Sequence, residues 1–138
     1  MFRFRLEKVL QLKMKLRDAK MAELGYVESQ ISLVEKEIDN VINDIKSINF
    51  PNKVVSFAEV GSNFELLSAL RDREKALKDK LAALYREKDK IVEELIELQK
   101  EVKILEKLKQ KKYKEFRREV LKKEIKRLDE FASQRREQ

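Results

Sequence analysis

The side chains that most often carry nucleophilic catalysis or bind transition metals are missing here: the chain has no cysteine and no histidine. No disulfide framework can form and no thiolate or imidazole metal site can be built. Nucleophilic or acid–base chemistry by those two residues is likewise excluded. There is no glycine-rich phosphate loop, no Gly-x-Gly-x-x-Gly and no cluster with metal-ligand spacing. Carboxylates are plentiful, but they stand among lysines. The adjacent Glu93 and Glu94 read as a solvated helix face rather than an acid–base pair. The chain is therefore expected to be no enzyme and to use no cofactor. What remains able to act is charge and apolar surface, and both are instruments of binding.

The charge is unevenly placed. Residues 1–20 hold seven basic and two acidic side chains, residues 21–102 twelve and seventeen, and residues 103–138 fourteen and seven. Such polarity bears on partners rather than on fold. The 138 residues are 43% charged and 42% hydrophobic, with two glycines and one proline. That profile belongs to long helices and coiled coils. No apolar run approaches the roughly 18–20 residues needed to span a bilayer. Residues 1–12 are basic but lead into no apolar stretch, so no signal peptide is expected.

The elements that must carry these surfaces follow from periodicity. Leu24, Val27, Ile31, Val34, Ile38, Val41, Ile45 and Ile48 recur at alternating steps of three and four. A stripe that narrow and that long must face another helix. Upstream, Leu6, Val9, Leu10, Leu12, Leu16 and Ala19 continue the apolar pattern in a shifted register, and Gly25 near the shift predicts a local irregularity without a break. Pro51 lacks an N–H and pushes Phe50 toward extended geometry, so the first helix ends before it. Ser56-Phe57-Ala58-Glu59 and Ser62-Asn63-Phe64-Glu65 both fit a capping box, with Gly61 between them. A short turn at 57–60 and a long helix from about 63 are expected. The second seam reads Leu70, Leu77, Leu81, Leu84, Ile91, Leu95, Leu98, Val102, Leu105, interrupted by Glu74 and Lys88.

The expected fold is all-α: two long helices forming an antiparallel coiled-coil hairpin with an overhanging C-terminal helix. The chain reads as one coiled-coil domain over residues 1–138, with helix one at 2–48, the connection at 49–62 and helix two at 63–134. In such a hairpin both basic ends meet at one tip. About 28 residues of helix two would extend beyond helix one, bearing Tyr113, Phe116, Val120, Leu121, Ile125, Leu128 and Phe131.

Four features bear on function. Glu74 and Lys88 either fix register or, for Lys88, snorkel with the ammonium in water. The basic run of residues 107–127 suits phosphates in principle. Glu115, Glu119 and Glu124 are mixed into it, however, so a solvated or acidic-protein-binding face is the favoured reading and no nucleic acid is expected. Phe2 and Phe4 flank Arg3; docking onto helix two is favoured over insertion into a membrane surface. Phe64, Leu66, Leu67 and Leu70 crowd the start of helix two. They are either an exposed partner site or covered by Phe50, Val54 and Phe57 from the connection.

The run Phe2-Arg3-Phe4-Arg5-Leu6-Glu7-Lys8-Val9-Leu10 resembles the start of the flagellar export protein FliJ family. The run Lys123-Glu124-Ile125-Lys126-Arg127-Leu128-Asp129-Glu130-Phe131-Ala132 resembles its ending, and the two-helix layout with a turn near residue 55 is similar throughout. The resemblance implies a cytoplasmic component of the flagellar type III export apparatus, peripheral at the cytoplasmic face of the inner membrane. It implies an antiparallel coiled coil similar to the gamma subunit of rotary ATP synthases, monomeric when free. Its implied partners are the hexameric export ATPase FliI, which it would activate, the export-gate protein FlhA and export chaperones. By the family's spacing the gate-binding patch falls on Leu66 and Leu70, although the family often has an aromatic where Leu66 stands and a small and an apolar residue at Arg73 and Glu74. With their crowded neighbours the expected gate-binding residues are Phe64, Leu66, Leu67 and Leu70. The ATPase-binding residues expected from the basic end of the rod are Phe2, Arg3, Phe4, Arg5, Arg117, Arg118, Lys122 and Lys123. The competing readings are a basic coiled coil that binds nucleic acid and a structural coiled-coil scaffold. Steeply salt-dependent DNA binding would mark the former.

Overall fold

A computed structural model describes residues 1–48 and 57–137. Among the described residues there are two helices and no strand: α1, Glu7–Ser47, and α2, Phe57–Glu137. In α1 the acidic Glu7 occupies the first turn and Lys46 the last; in α2 Glu59 opens and Arg135 and Arg136 close. Each charge opposes the partial charge of the helix end it occupies. At the end of α1 the Ile48 N–H donates to the Ile45 carbonyl at 3.2 Å, and the Ser47 hydroxyl donates to the Asp44 carbonyl at 2.7 Å. Two carbonyls that the helix leaves unpaired are thereby satisfied. The expected connection, residues 49–62, lies outside the described residues as far as 56.

Two expectations are corrected. First, α1 begins at Glu7, not at residue 2. Residues 1–6 alternate instead, with Phe2, Phe4 and Leu6 half-buried and Met1, Arg3 and Arg5 exposed. That is the two-residue period of an extended arm. Second, α2 begins at Phe57 and passes unbroken through Gly61 toward the predicted start at 63. A helical glycine costs only about 1 kcal/mol, too little to stop a helix of this length. At Gly25 α1 runs on without a break, as expected, and with no positive φ.

The chain divides into two compact units: residues 20–94, and residues 1–19 with 95–138. The unit of residues 20–94 holds the larger apolar seam. Val34, Ile38 and Val41 pack with Leu77, flanked by Ile42, Ile45, Leu70, Leu81 and Leu84. Val27 and Ile31 pack with Ile91. Rising numbers on α1 meet falling numbers on α2: Lys20 with Glu94, Glu28 with Lys88, Glu35 with Tyr85 and Glu37 with Arg73. The helices here are therefore antiparallel, as the seams predict. Glu74 and Lys88 do occupy seam positions, both half-buried. The Lys88 ammonium reaches across to Glu28 at 3.7 Å, whereas Glu74 pairs at 2.7 Å with Lys78 on its own helix.

In the unit of residues 1–19 and 95–138, Leu10 and Val102 are 3% and 2% exposed and anchor the contact between helices. Glu7 pairs with Lys109 and Lys13 with Glu101, each at 2.8 Å, so the helices are antiparallel here too. Past Phe116, every side chain from 117 to 136 is exposed. The uncovered stretch thus starts somewhat later than the predicted overhang, because the N-terminal arm covers Phe116.

Candidate protein-binding surfaces

The N-terminal arm builds the first surface, within the unit of residues 1–19 and 95–138. Its period-two pattern points Phe2 at α2, where the ring meets Tyr113 edge-on at 5.2 Å between centroids and Phe116 tilted at 5.6 Å. Offset and edge-on contacts of this kind are the favoured geometries of aromatic pairs. The Arg117 guanidinium lies 6.0 Å from the centre of the Tyr113 ring, at the outer limit of a cation–π contact. Phe2, Arg3, Phe4 and Arg5 line an open cleft with Phe116, Lys112, Glu115 and Glu119. The Glu7 N–H donates to the Phe4 carbonyl at 3.1 Å, which ties the arm to the first turn of α1. Docking onto α2, rather than a free arm, is therefore the observed arrangement for Phe2.

Of the predicted ATPase-binding residues, Phe2, Arg3, Phe4 and Arg5 share this cleft. Arg117 joins them through Tyr113. Arg118 lines a separate shallow groove with Lys107, Lys111, Lys114 and Glu115, and Lys122 and Lys123 stand exposed one turn further on. The unit carries 21 basic and 11 acidic residues. Sequence reading missed that Glu115 and Glu119 sit in the cleft beside the arginines. The signal was available, since the alternation Phe-Arg-Phe-Arg-Leu has the period of an extended segment and not of a helix.

The larger miss concerns residues 6–20. From Leu6, just before α1, burial follows Leu10, Lys13, Arg17, Lys20, Leu24 and Val27 in steps of threes and fours. The apolar stripe does shift, but the packing does not follow it. Three cations take seam positions, and Val9, Leu12 and Leu16 are left exposed. Lys20 bonds Glu94 at 2.5 Å and Glu23 at 3.1 Å. Glu94 first, then Glu23, pushes the Lys20 ammonium above its ordinary pKa, and Lys20 in turn lowers that of Glu94. Hydrogen bonds from Lys109 and then Gln11 hold the Glu7 carboxyl below its usual range.

The second surface lies in the unit of residues 20–94. Leu67 and Leu70 are half-buried seam residues facing α1, and Leu70 packs on the Val34–Ile38–Val41–Leu77 cluster. Phe64 and Leu66 are 59% and 50% exposed. By heptad position they flank the seam on opposite sides, so the four predicted gate residues do not form one face. Leu66 and Leu70 instead border a groove with Ile48, Asp44, Ser47 and Asn63. Phe57 is 97% exposed and covers none of this. Phe50 and Val54 lie outside the described residues.

Among the described residues no group of acidic side chains is placed to hold a metal ion, and no helix is long and apolar enough to cross a membrane. A comparison with protein families matches the model described as "Flagellar FliJ protein" over residues 1–138. No match was found among curated proteins or among solved structures. A match along the whole chain, together with two long helices paired antiparallel in each unit, shows that the chain belongs to the flagellar FliJ family and is a component of the flagellar export apparatus.

Proposed function

We propose that this chain is a non-enzymatic stalk that binds and activates the hexameric export ATPase, and that it also contacts the export gate and export chaperones from the cytoplasmic face of the membrane. The observation that carries the reading is the make-up of the unit of residues 1–19 and 95–138. It has 21 basic residues against 11 acidic, Arg3 and Arg5 turned outward from a docked arm, and Arg117, Arg118, Lys122 and Lys123 exposed on α2. A cationic surface with no catalytic group suits a protein that enters the polar or acidic lining of a ring and speeds the ring's own chemistry. The test is a pull-down against the purified export ATPase with hydrolysis measured alongside. Reversing charge at Arg117, Arg118, Lys122 and Lys123 together should cut stimulation roughly tenfold or more, a loss consistent with a few kcal/mol of charge complementarity. Unchanged stimulation would remove this surface from the reading.

The gate contact is assigned to exposed Leu66 and Phe64, with Leu67 and Leu70 setting the helix that presents them. Leu66→Ser is expected to weaken binding to the purified cytoplasmic domain of FlhA while leaving thermal melting unchanged. Leu70→Ser is expected to lower both, because Leu70 packs on the seam.

A further inference from the structure

One flank of the unit of residues 1–19 and 95–138 is apolar and uncovered. With Leu10 and Lys13 at the a and d positions of a heptad, Val9 and Leu16 are g residues and Leu12 is a c residue; they are 42%, 43% and 55% exposed. On α2, with Val102 and Leu105 at a and d, Glu101 and Leu108 are g residues, and Ile104, a c residue, is 66% exposed. The Lys13–Glu101 ion pair joins a d position to a g position. It therefore marks the side on which the g positions of the two helices adjoin. Val9, Leu12 and Leu16 on α1 share that side with Ile104 and Leu108 on α2, in two rows along the groove between the helices. The next position outward is f, and there stand Lys8 and Lys15 on α1 and Lys100 and Lys107 on α2.

Single exposed leucines need no explanation, but an apolar strip on two helices with a lysine border on each edge does. We propose that this flank is a docking groove for an acidic amphipathic helix of a partner protein, which lies between α1 and α2 as the third helix of a bundle. Its apolar stripe covers Val9, Leu12, Leu16 and Ile104, and its carboxylates meet Lys8, Lys15, Lys100 and Lys107. The spacing of nine, twelve and sixteen is that of a helix-pairing row. Charge selects the occupant. The free helix of a second copy, residues 117–136, carries eight basic and four acidic residues and would bring like charge to the lysine borders. An anionic membrane would suit the lysines, but it would spread headgroups over Glu97 and Glu101 as well. A helix instead sets its apolar stripe against the strip, where these two carboxylates already pair with Lys100 and Lys13, and keeps its own carboxylates to the lysine borders. Lys107 also borders the Arg118 groove and Leu108 also lines the cleft of the N-terminal arm; the other groove residues lie outside the ATPase-binding and gate-binding surfaces above.

The test uses the full chain and a fluorescein-labelled designed helix with leucines spaced by three and four and glutamates on both flanks, followed by anisotropy. A control peptide carries lysines in place of the glutamates. Phosphatidylglycerol vesicles and sedimentation equilibrium complete the set. The acidic peptide should bind. Leu12→Ser with Ile104→Ser should weaken it about tenfold, as loss of exposed anchors does, with melting unchanged. Glutamine at Lys8, Lys15, Lys100 and Lys107 should weaken binding and flatten its salt dependence. The proposal fails if the acidic peptide does not bind, if the lysine peptide binds as well, or if the Leu12/Ile104 variant binds undiminished. It fails equally if that variant instead abolishes vesicle binding or dissociates a dimer.

Discussion

Lys13 occupies a seam position of α1, where the heptad calls for an apolar side chain, and its ammonium lies 2.8 Å from the Glu101 carboxylate on α2. Both side chains keep roughly a third to a half of their surface in water, so the pair is worth at most about 1 kcal/mol. A leucine at position 13 would bury more and forfeit little. Lys13→Leu with Arg17→Leu is expected to stabilise the chain by about 1–3 kcal/mol in urea unfolding, from apolar burial at two half-covered sites. Destabilisation would mean that the ion pairs hold this segment together. A gain in stability with loss of a single defined state would mean that the cations specify pairing.

Phe2 and Tyr113 offer a second measurable contact. Phe2→Ala and Tyr113→Ala combined in a double-mutant cycle should show a coupling of about 0.5–1.5 kcal/mol, the usual worth of an edge-on aromatic pair. Zero coupling would detach the arm from α2. The cycle is read by urea unfolding, and amide exchange in residues 109–117 should rise in each single variant.

How much of this was legible in the sequence depends on which force dominated locally. From Leu24 to Ile48 every seam position is apolar, so period and packing agree and the reading holds residue for residue. Through residues 6–20 they disagree. Following the apolar stripe onto Val9, Leu12 and Leu16 would require α1 to turn about its axis by one residue, roughly 100°. α2 offers no matching turn, because Leu95, Leu98, Val102 and Leu105 continue its strict heptad. The seam therefore stays in register and accepts Lys13, Arg17 and Lys20. Counting threes and fours back from Leu24 would have found them. The grouping of the gate-binding residues was less legible: closeness in sequence does not put Phe64 and Leu66 on the same side of the seam. The Phe-Arg alternation of the arm was visible, but the helical pattern beginning at Leu6 masked it.

Gly25 gives a third prediction. It lies inside α1 with a negative φ, and a Cβ added there would meet nothing within 4 Å. Gly25→Ala is expected to raise stability by about 0.5–1 kcal/mol, since alanine loses less backbone freedom on folding. The thermal midpoint checks it, and a fall would show that the position demands a conformation alanine resists.

With no histidine, stability should be flat across the neutral range and fall only at the extremes. Glu7 and Glu94 have folded pKa values below the ordinary 4.5. Their contribution is present above 4.5 and is lost as acid protonates them through the lowered values. Lys20 is raised above 10.5 by Glu94 and Glu23, and Tyr85 above 10.0 by the hydroxyl bond it donates to Glu35 at 2.8 Å. Their contributions are present below those ordinary values and are lost as pH rises through the raised ones. A melting series from pH 2.5 to 11 should therefore show a plateau with two falling limbs. Glu7→Gln with Glu94→Gln should lower the plateau slightly and flatten the acid limb, because those two proton-linked losses have already been taken. Lys20→Met should flatten the alkaline limb and leave the acid limb less steep through its partner Glu94. An acid limb of unchanged slope in both variants would place the acid sensitivity on other carboxylates and would strip these cross-helix pairs of any part in it.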